Sequence, residues 1–320
     1  MKTNKWTKFL TNNTVVPILI IILIIAAILD SRFMTPGNLL NVFNQNAIKG
    51  IMAIGMTFVI INGYFDMSLC TLVSLTAGLS CGLQDQIGLG GAILVALLVG
   101  LLVGVINGFL IAYAGINAFV VTLSLMLGCR GLTYIYSNEQ SIISPSMAFV
   151  DFGMGKFLGL TYTSWLFIIG LVIAFFVLKY TMHGRNTYAA GGNASAAENA
   201  GINVKKTIFI NFVICGVLSG LGGVLYAAQN GASTPALGWP DMHMLVIAGV
   251  VLGGTKLSGG VGTIWYSLAG VMVLGIIANI MSLKNVQSWV STMLTGLIMI
   301  GVLYIDKVLT ERRQKEGLKN

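Results

Sequence analysis

Few side chains in this 320-residue chain can do acid–base, nucleophilic or metal chemistry. The two histidines are His183 and His243. The four cysteines, Cys70, Cys81, Cys129 and Cys215, fall inside apolar stretches with no C-x-x-C pair and no adjacent histidine, which is the pattern of buried small hydrophobes. Gly78-Leu79-Ser80-Cys81-Gly82 matches the letters G-x-S-x-G, but a nucleophile elbow needs a strand before it and a helix after it, and this stretch sits within one apolar run. H-E-x-x-H, a carboxylate cluster and G-x-x-x-x-G-K-[ST] are all missing, the nearest look-alikes being Gly155-Lys156 and Gly254-Thr255-Lys256. The expectation is a protein that holds no metal, carries no cofactor of its own and is not an enzyme.

The polar chemistry that is present lies within or beside apolar runs: Asn62, Asp66, Asn107, Thr122, Arg130, Asn211 and Asn279. Each is costly in hydrocarbon and is expected to face the interior of a helix bundle. The asparagines read either as interhelical hydrogen bonds or as the lining of a weakly polar channel. Asp66 reads as a carboxylate at a helix N-terminus, favoured by a few tenths to about 1 kcal/mol against the macrodipole. Arg130 must meet a carboxylate or hydrogen-bond exposed carbonyls.

Composition says what must position these groups. Only 9% of the residues are charged and 56% are hydrophobic, against about 25% charged in an ordinary globular protein, and mean hydropathy is +0.88. So few charges cannot cover a water-soluble surface, and lipid must be the solvent over most of the chain. Soluble enzymes, nucleic-acid binders and disordered regulators are excluded. The net charge of +8 sits in short segments between apolar runs and not in a stripe, so it marks topology and no nucleic acid is expected as a partner.

Ten helices are predicted, at 14–29, 47–62, 67–83, 91–113, 118–137, 163–181, 207–228, 243–256, 262–283 and 287–306, in a single transmembrane domain covering 1–320. Lys2, Lys5 and Lys8 precede the first run as in a signal peptide, but no A-x-A site follows, so it is read as an uncleaved first helix. Placing both termini in the cytoplasm puts thirteen Lys/Arg inside and only Arg32, Lys49, Lys156 and Lys284 outside, with Arg130 in a span. Trp6, Trp165, Trp239, Trp265 and Trp289 fall at or near predicted span ends, where an indole prefers the headgroup level. Glycines at four-residue spacing, Gly100, Gly104 and Gly108, then Gly216 and Gly220, then Gly249 and Gly253, suit close helix packing in lipid.

Two interruptions stand out, 62–68 and 251–262, because irregular backbone at membrane depth needs protein or a water-filled cavity around it. The longest inside loop, 182–207, is the most structured. Asn193 suits an N-cap, Ala194 to Ala200 favour helix, and Gly201 can take the left-handed C′ position. Seven residues make a rod only ~10 Å long, marginal in water unless it docks against something.

This loop, with Gly191-Gly192-Asn193 followed by Ala196-Ala197-Glu198 and Ala200-Gly201-Ile202-Asn203-Val204-Lys205, resembles the coupling segment of bacterial ATP-binding cassette importer permeases of the ribose, xylose and galactoside type. The likeness extends through 33–42, 50–57, 116–123, 130–132 and 253–263. Where that family usually reads G-G-I-D-L-S-V-G, this chain has Asn62-Gly63-Tyr64-Phe65-Asp66-Met67-Ser68-Leu69-Cys70, which keeps the acid and the serine but adds two aromatic rings. The resemblance implies an all-α polytopic membrane protein, similar to the vitamin B12-importer (type II) permease bundle, in the bacterial cytoplasmic membrane, with a cytoplasmic tail at 307–320. It implies three partners besides lipid: a cytoplasmic ATP-binding subunit that binds ATP and Mg, an extracytoplasmic sugar-binding protein, and a second permease copy, identical or related. Gly191, Gly192, Asn193, Ala197, Glu198, Gly201 and Ile202 would then couple to the ATPase. Asn62, Tyr64, Phe65, Asp66, Ser68, Asn107, Asn117, Phe119, Thr122 and Asn279 would border the path of a monosaccharide or related polyol.

Other readings remain at the level of sequence. Nucleosides, branched-chain amino acids or a furanosyl signalling molecule could be the cargo of such a permease, and an ion-coupled secondary transporter would have to rest on Asp66.

Overall fold

In hydrocarbon every backbone N–H and C=O must pair within its own segment or with buried neighbours, so apolar runs fold as helices. The computed structural model describes residues 15–287 and 289–297, with 300, 301 and 304. The N-terminal lysines with Trp6, the end of the tenth predicted span and the tail 307–320 lie outside the described residues.

The helices are α1 (Val15–Leu29), α2 (Pro36–Ile61), α3 (Leu69–Gly82), α4 (Gln84–Ala112), α5 (Ala118–Ser137), α6 (Met147–Met154), α7 (Tyr162–Tyr180), α8 (Met182–Gly192), α9 (Ala194–Asn199), α10 (Val204–Asn230), α11 (Met242–Leu252) and α12 (Ile264–Leu283), and residues 289–297 are helical as well. Five of these, α4, α5, α7, α10 and α12, are long and apolar enough to cross a membrane, which makes this a multi-pass, predominantly helical membrane protein. The G-x-S-x-G letters lie inside α3, where Ser80 Oγ donates to the Ala77 carbonyl, and there is no strand-to-helix elbow.

Several predicted boundaries move. The helix expected at 47–62 begins at Pro36, so Lys49, counted as an outside residue, lies near the middle of a 26-residue helix. The fourth span starts at Gln84 and is broken at Gly88, whose φ of 74° no helix accommodates. The eighth stops at Leu252 after 11 residues, about 16 Å at 1.5 Å per residue, roughly half the hydrocarbon thickness. The fold is not wholly α: strand β1 (Ile142–Ile143) pairs antiparallel with β4 (Ala232–Ser233), and β2 (Lys156–Phe157) with β3 (Leu160–Thr161).

α4 and α10 meet along a glycine seam. A Cβ on Gly100 would come within 2.8 Å of the Gly216 carbonyl, and one on Gly104 within 2.8 Å of the Phe212 carbonyl, so the predicted small-residue face does bring two backbones together.

Hydrogen bonds sort the helix ends into two groups. At one end the close of α2 meets α8 and the turn at 258–262, through Gly260 N donating to Ile61 O at 2.8 Å and Tyr188 Oη to Gly262 O at 2.8 Å. At the other end lie the two strand pairs, the contact of Gln84 with Ser144 (2.9 Å) and that of Asn44 with Thr161 N (3.0 Å). There too Asp30 takes the Arg32 backbone N–H and both guanidinium contacts, 2.9, 3.0 and 2.8 Å, while Arg32 Nη2 reaches the α12 carbonyl of Leu283 at 2.6 Å.

Candidate functional site

The loop 182–207 folds as two short helices that share one residue. The Asn193 N–H closes α8 on the Ala189 carbonyl at 3.1 Å, and its side-chain oxygen opens α9 by accepting from Ala196 N at 3.0 Å. Extended backbone at Asn193, φ −156° and ψ 101°, turns the chain between the two axes. α9 has six residues, one fewer than predicted, because Ala200 is its cap. Gly201 has φ 82° and donates to the Glu198 carbonyl at 2.9 Å, while Ile202 N reaches the Ala197 carbonyl at 3.0 Å. These two bonds make a Schellman motif, which requires the left-handed C′ residue that glycine supplies.

Most of α9 is exposed: Ala194, Ser195, Ala196, Glu198 and Asn199 face outward. Ala197 is buried and Ile202 half-buried, and they join a cluster that includes Val59 of α2, Ile111 of α4, Val121 of α5 and Val204 and Ile208 of α10. A short rod marginal by itself is thus seated by one face on the ends of four long helices.

α8 carries a second connection. Asn211 Nδ2 on α10 donates to Asn62 Oδ1, to the Phe58 carbonyl (3.3 Å) and to Thr187 Oγ1 (3.3 Å); Asn62 Nδ2 donates to the Thr187 carbonyl at 2.8 Å. The Asn211 amide oxygen therefore faces His183, 2.7 Å from Nε2, and only the tautomer with a proton on Nε2 completes the bond. Thr187 Oγ1 closes the ring of contacts on the His183 carbonyl at 2.9 Å. Burial pulls the His183 imidazole below its ordinary value, opposed by the Asn211 hydrogen bond, so the ring is neutral near pH 7.

Backbones meet directly beside this network. A Cβ on Gly191 would collide with the Ile61 carbonyl, and Gly259, at φ 84°, has its Cα face against the Gly191 carbonyl. The two interruptions noted in the sequence, 62–68 and 251–262, are thereby brought to one place, against the loop that holds α9. Gly63 at φ 83° lies against Ser258 O in the same junction.

The other predicted path residues divide. Asp66 Oδ1 accepts from Ser68 N at 2.8 Å and from Ser68 Oγ; Asn107 Nδ2 bonds Ser68 Oγ at 3.0 Å and Asp66 Oδ2 at 3.3 Å. All three are buried. Asp66 thus sits just ahead of α3, as a helix-N-terminal carboxylate should. Phe65 packs on Phe119, ring centroids 6.4 Å apart, and Tyr64 on Phe212 at 6.2 Å. Asn117 caps α5 by accepting from Phe119 N at 2.9 Å, and Thr122 bonds the Ala118 carbonyl at 2.9 Å. Asn279 is apart from all of these, paired with Asn38 at the opposite end by bonds of 2.9 and 3.1 Å. Asn62 belongs to the α8 network already described.

Arg130 corrects the sequence reading. Among the described residues it meets neither a carboxylate nor a carbonyl but lies over the Trp239 ring, 3.9 Å from its centroid, with Tyr134 at 5.6 Å. Trp239, three residues ahead of α11, thereby sits beside α5 about two-thirds of the way along it. The sequence reading passed over His183 and Thr187, although their i, i+4 spacing on a short helix was the available signal.

The family model described as "Branched-chain amino acid transport system / permease component" matches residues 38–303. The ribose import permease protein RbsC of Bacillus subtilis (strain 168) is 37% identical over 292 residues, 90% of this chain and 90% of that protein. RbsC of Escherichia coli (strain K12) is 32% identical over 293 residues, 90% and 91% of the two chains. The L-arabinose transport system permease protein AraH of Escherichia coli (strain K12) is 34% identical over 292 residues, 90% and 88%.

Proposed function

Since this chain belongs to the branched-chain amino acid transport system / permease component family, we propose that it is the membrane-spanning permease of an ATP-binding cassette importer for a monosaccharide. The sugar assignment is supported by relatives named for ribose and L-arabinose that align along nine-tenths of the chain. In this reading the chain crosses a bacterial cytoplasmic membrane ten times with both termini inside, in a type II permease bundle. ATP and Mg are bound by a separate cytoplasmic ATPase, so this chain hydrolyses nothing itself. A second permease copy completes the core, and an extracytoplasmic binding protein delivers the sugar.

The observation that carries this reading is the seating of α9. A double-capped rod exposed on one face is what an ATPase surface can grip, and its buried face touches the cluster at the ends of α2, α4, α5 and α10. Closure of the ATPase pair would displace α8 and α9 together. Through Asn211, Asn62 and the Gly191–Ile61 contact that displacement reaches the 62–68 and 258–262 turns, and the helices attached to them rock between two accessible states.

The test is reassembly of the chain with candidate ATPases and binding proteins in liposomes. ATP hydrolysis and uptake should both rise when the binding protein is loaded with ribose, L-arabinose or another monosaccharide. A response to leucine and to no sugar would sink the assignment.

A further inference from the structure

Lys49 poses a problem that the coupling machinery does not solve. It lies 12 residues before the end of α2, about 18 Å from that end, where a charged ammonium is costly unless it faces a carboxylate or a water-filled cavity. Among the described residues no carboxylate lies within salt-bridge distance of it. A partly open cavity of about 330 Å³ does adjoin it, bordered by α2, α11, α12 and residues 291–296.

Asp241 enters the same cavity at the start of α11, an 11-residue half-helix, so it stands about 16 Å from the Leu252 end. The two charges are therefore at similar depth, near the middle of the bundle, and both line the cavity without an ion pair between them. Asn46, Ser291 and Thr295 add neutral polar groups, while Leu245 and Leu274 supply apolar wall. Asn46 has spent one amide hydrogen on the Val42 carbonyl at 2.7 Å and Thr295 its hydroxyl proton on the Ser291 carbonyl at 2.8 Å, which leaves oxygen lone pairs able to accept. The volume is at the small end of ligand cavities, ~300–1,000 Å³, so it suits one monosaccharide.

We propose that this cavity is a transient monosaccharide subsite on the translocation path, where the Lys49 ammonium donates to and the Asp241 carboxylate accepts from adjacent sugar hydroxyls. The proposal rests on the importer reading above and adds a place inside the permease for the cargo. A neutral polyol leaves the opposed charges balanced and uses the several neutral groups, whereas a zwitterion would use the two charges and leave the rest idle. The half-helix at mid-depth matches how transporters present a substrate with broken helices.

The experiment uses the transporter reassembled in liposomes with its ATPase and binding protein. Lys49→Met and Asp241→Asn should each lower maximal ribose or L-arabinose uptake about tenfold, while the loaded binding protein still stimulates ATP hydrolysis. In the same assembly, Lys49→Cys is treated with a cationic methanethiosulfonate; the four native cysteines are buried. Ribose or L-arabinose should slow that labelling severalfold and leucine should not. Wild-type uptake in both charge variants, protection by leucine alone, or labelling that no sugar slows would each overturn the proposal. If the charge variants fail to assemble, the labelling result decides alone. A wild-type transporter that carries some other cargo and no monosaccharide would instead remove the monosaccharide assignment, a distinct outcome.

Discussion

His183 on α8 and Asn211 on α10 are joined by a 2.7 Å hydrogen bond whose direction is fixed by the three acceptors on the other side of the Asn211 amide. The arm beneath the bundle is therefore tied to a long helix through a side chain of defined tautomer. His183→Ala leaves a buried amide oxygen without a donor, which should cost about 1–3 kcal/mol, while His183→Gln keeps an N–H and should recover most of it. Thermal melting of the purified complex and sugar uptake per ATP are the measurements, and equal behaviour of the two variants would count against the bond.

The same contact sets a pH dependence. The folded-state pKa of His183 lies below the ordinary value of 6.5, so the unfolded chain binds the proton more readily. Its contribution is complete above about 6.5 and is lost as pH falls through the lower folded value. Melting temperature followed from pH 8 to pH 5 should decline more steeply in the native protein than in His183→Gln.

Asn193→Ala removes the α9 cap at a cost of about 1 kcal/mol, whereas Asn193→Asp retains an acceptor. We expect the transporter assembled with the alanine variant to keep its ATPase activity with uptake reduced severalfold, and the one with the aspartate variant to transport nearly as the native assembly does. Equal uptake by both would show that the order of α9 does not matter to coupling.

Gly191→Ala places a methyl group on the Ile61 carbonyl, and neither backbone can retreat without opening the junction with Gly259 and Gly260. Overpacking of this kind costs about 1–3 kcal/mol. Uptake should fall further than it does for Gly37→Ala, where a Cβ meets no atom within 4 Å. Uptake assays on membranes with matched expression test the comparison.

Asp30 and Arg32 tie the turn before α2 to the end of α12 at the other end of the bundle. The Arg32 guanidinium holds the Asp30 carboxyl well below the usual carboxylate range, so this contribution is present above pH about 4 and is lost only in strong acid. Arg32→Lys gives up the two-pronged contact and the Leu283 carbonyl together. A lower melting temperature in Arg32→Lys than in the native protein is the expected outcome.

Local signals were readable in advance and distant pairings were not. The cap at Asn193 and the left-handed Gly201 depend on neighbours within four residues, so residue types alone announced them. The first half of α2 was missed because Asn38, Asn41, Asn44, Gln45 and Asn46 look like a loop. Two of them find partners far along the chain, Asn38 on Asn279 and Asn44 on Thr161 and Ser164. Lys49 was counted as an outside charge for the same reason, because the helix predicted at 47–62 placed it at a span end. The stack of Arg130 on Trp239 joins residues more than a hundred positions apart and leaves no periodic trace. The junction of Gly191 with Ile61 and Gly260 is also of this kind, although the glycines that permit it were visible.

The seam between α4 and α10 limits how any of this can move. With Gly100 against Gly216 and Gly104 against Phe212, main chain rests on main chain, and neither helix can slide past the other by less than a full notch. The pair must travel as one slab. Whatever opens and shuts this protein has to swing on the flanks of that slab, and a cross-link between α4 and α10 should leave the swing intact.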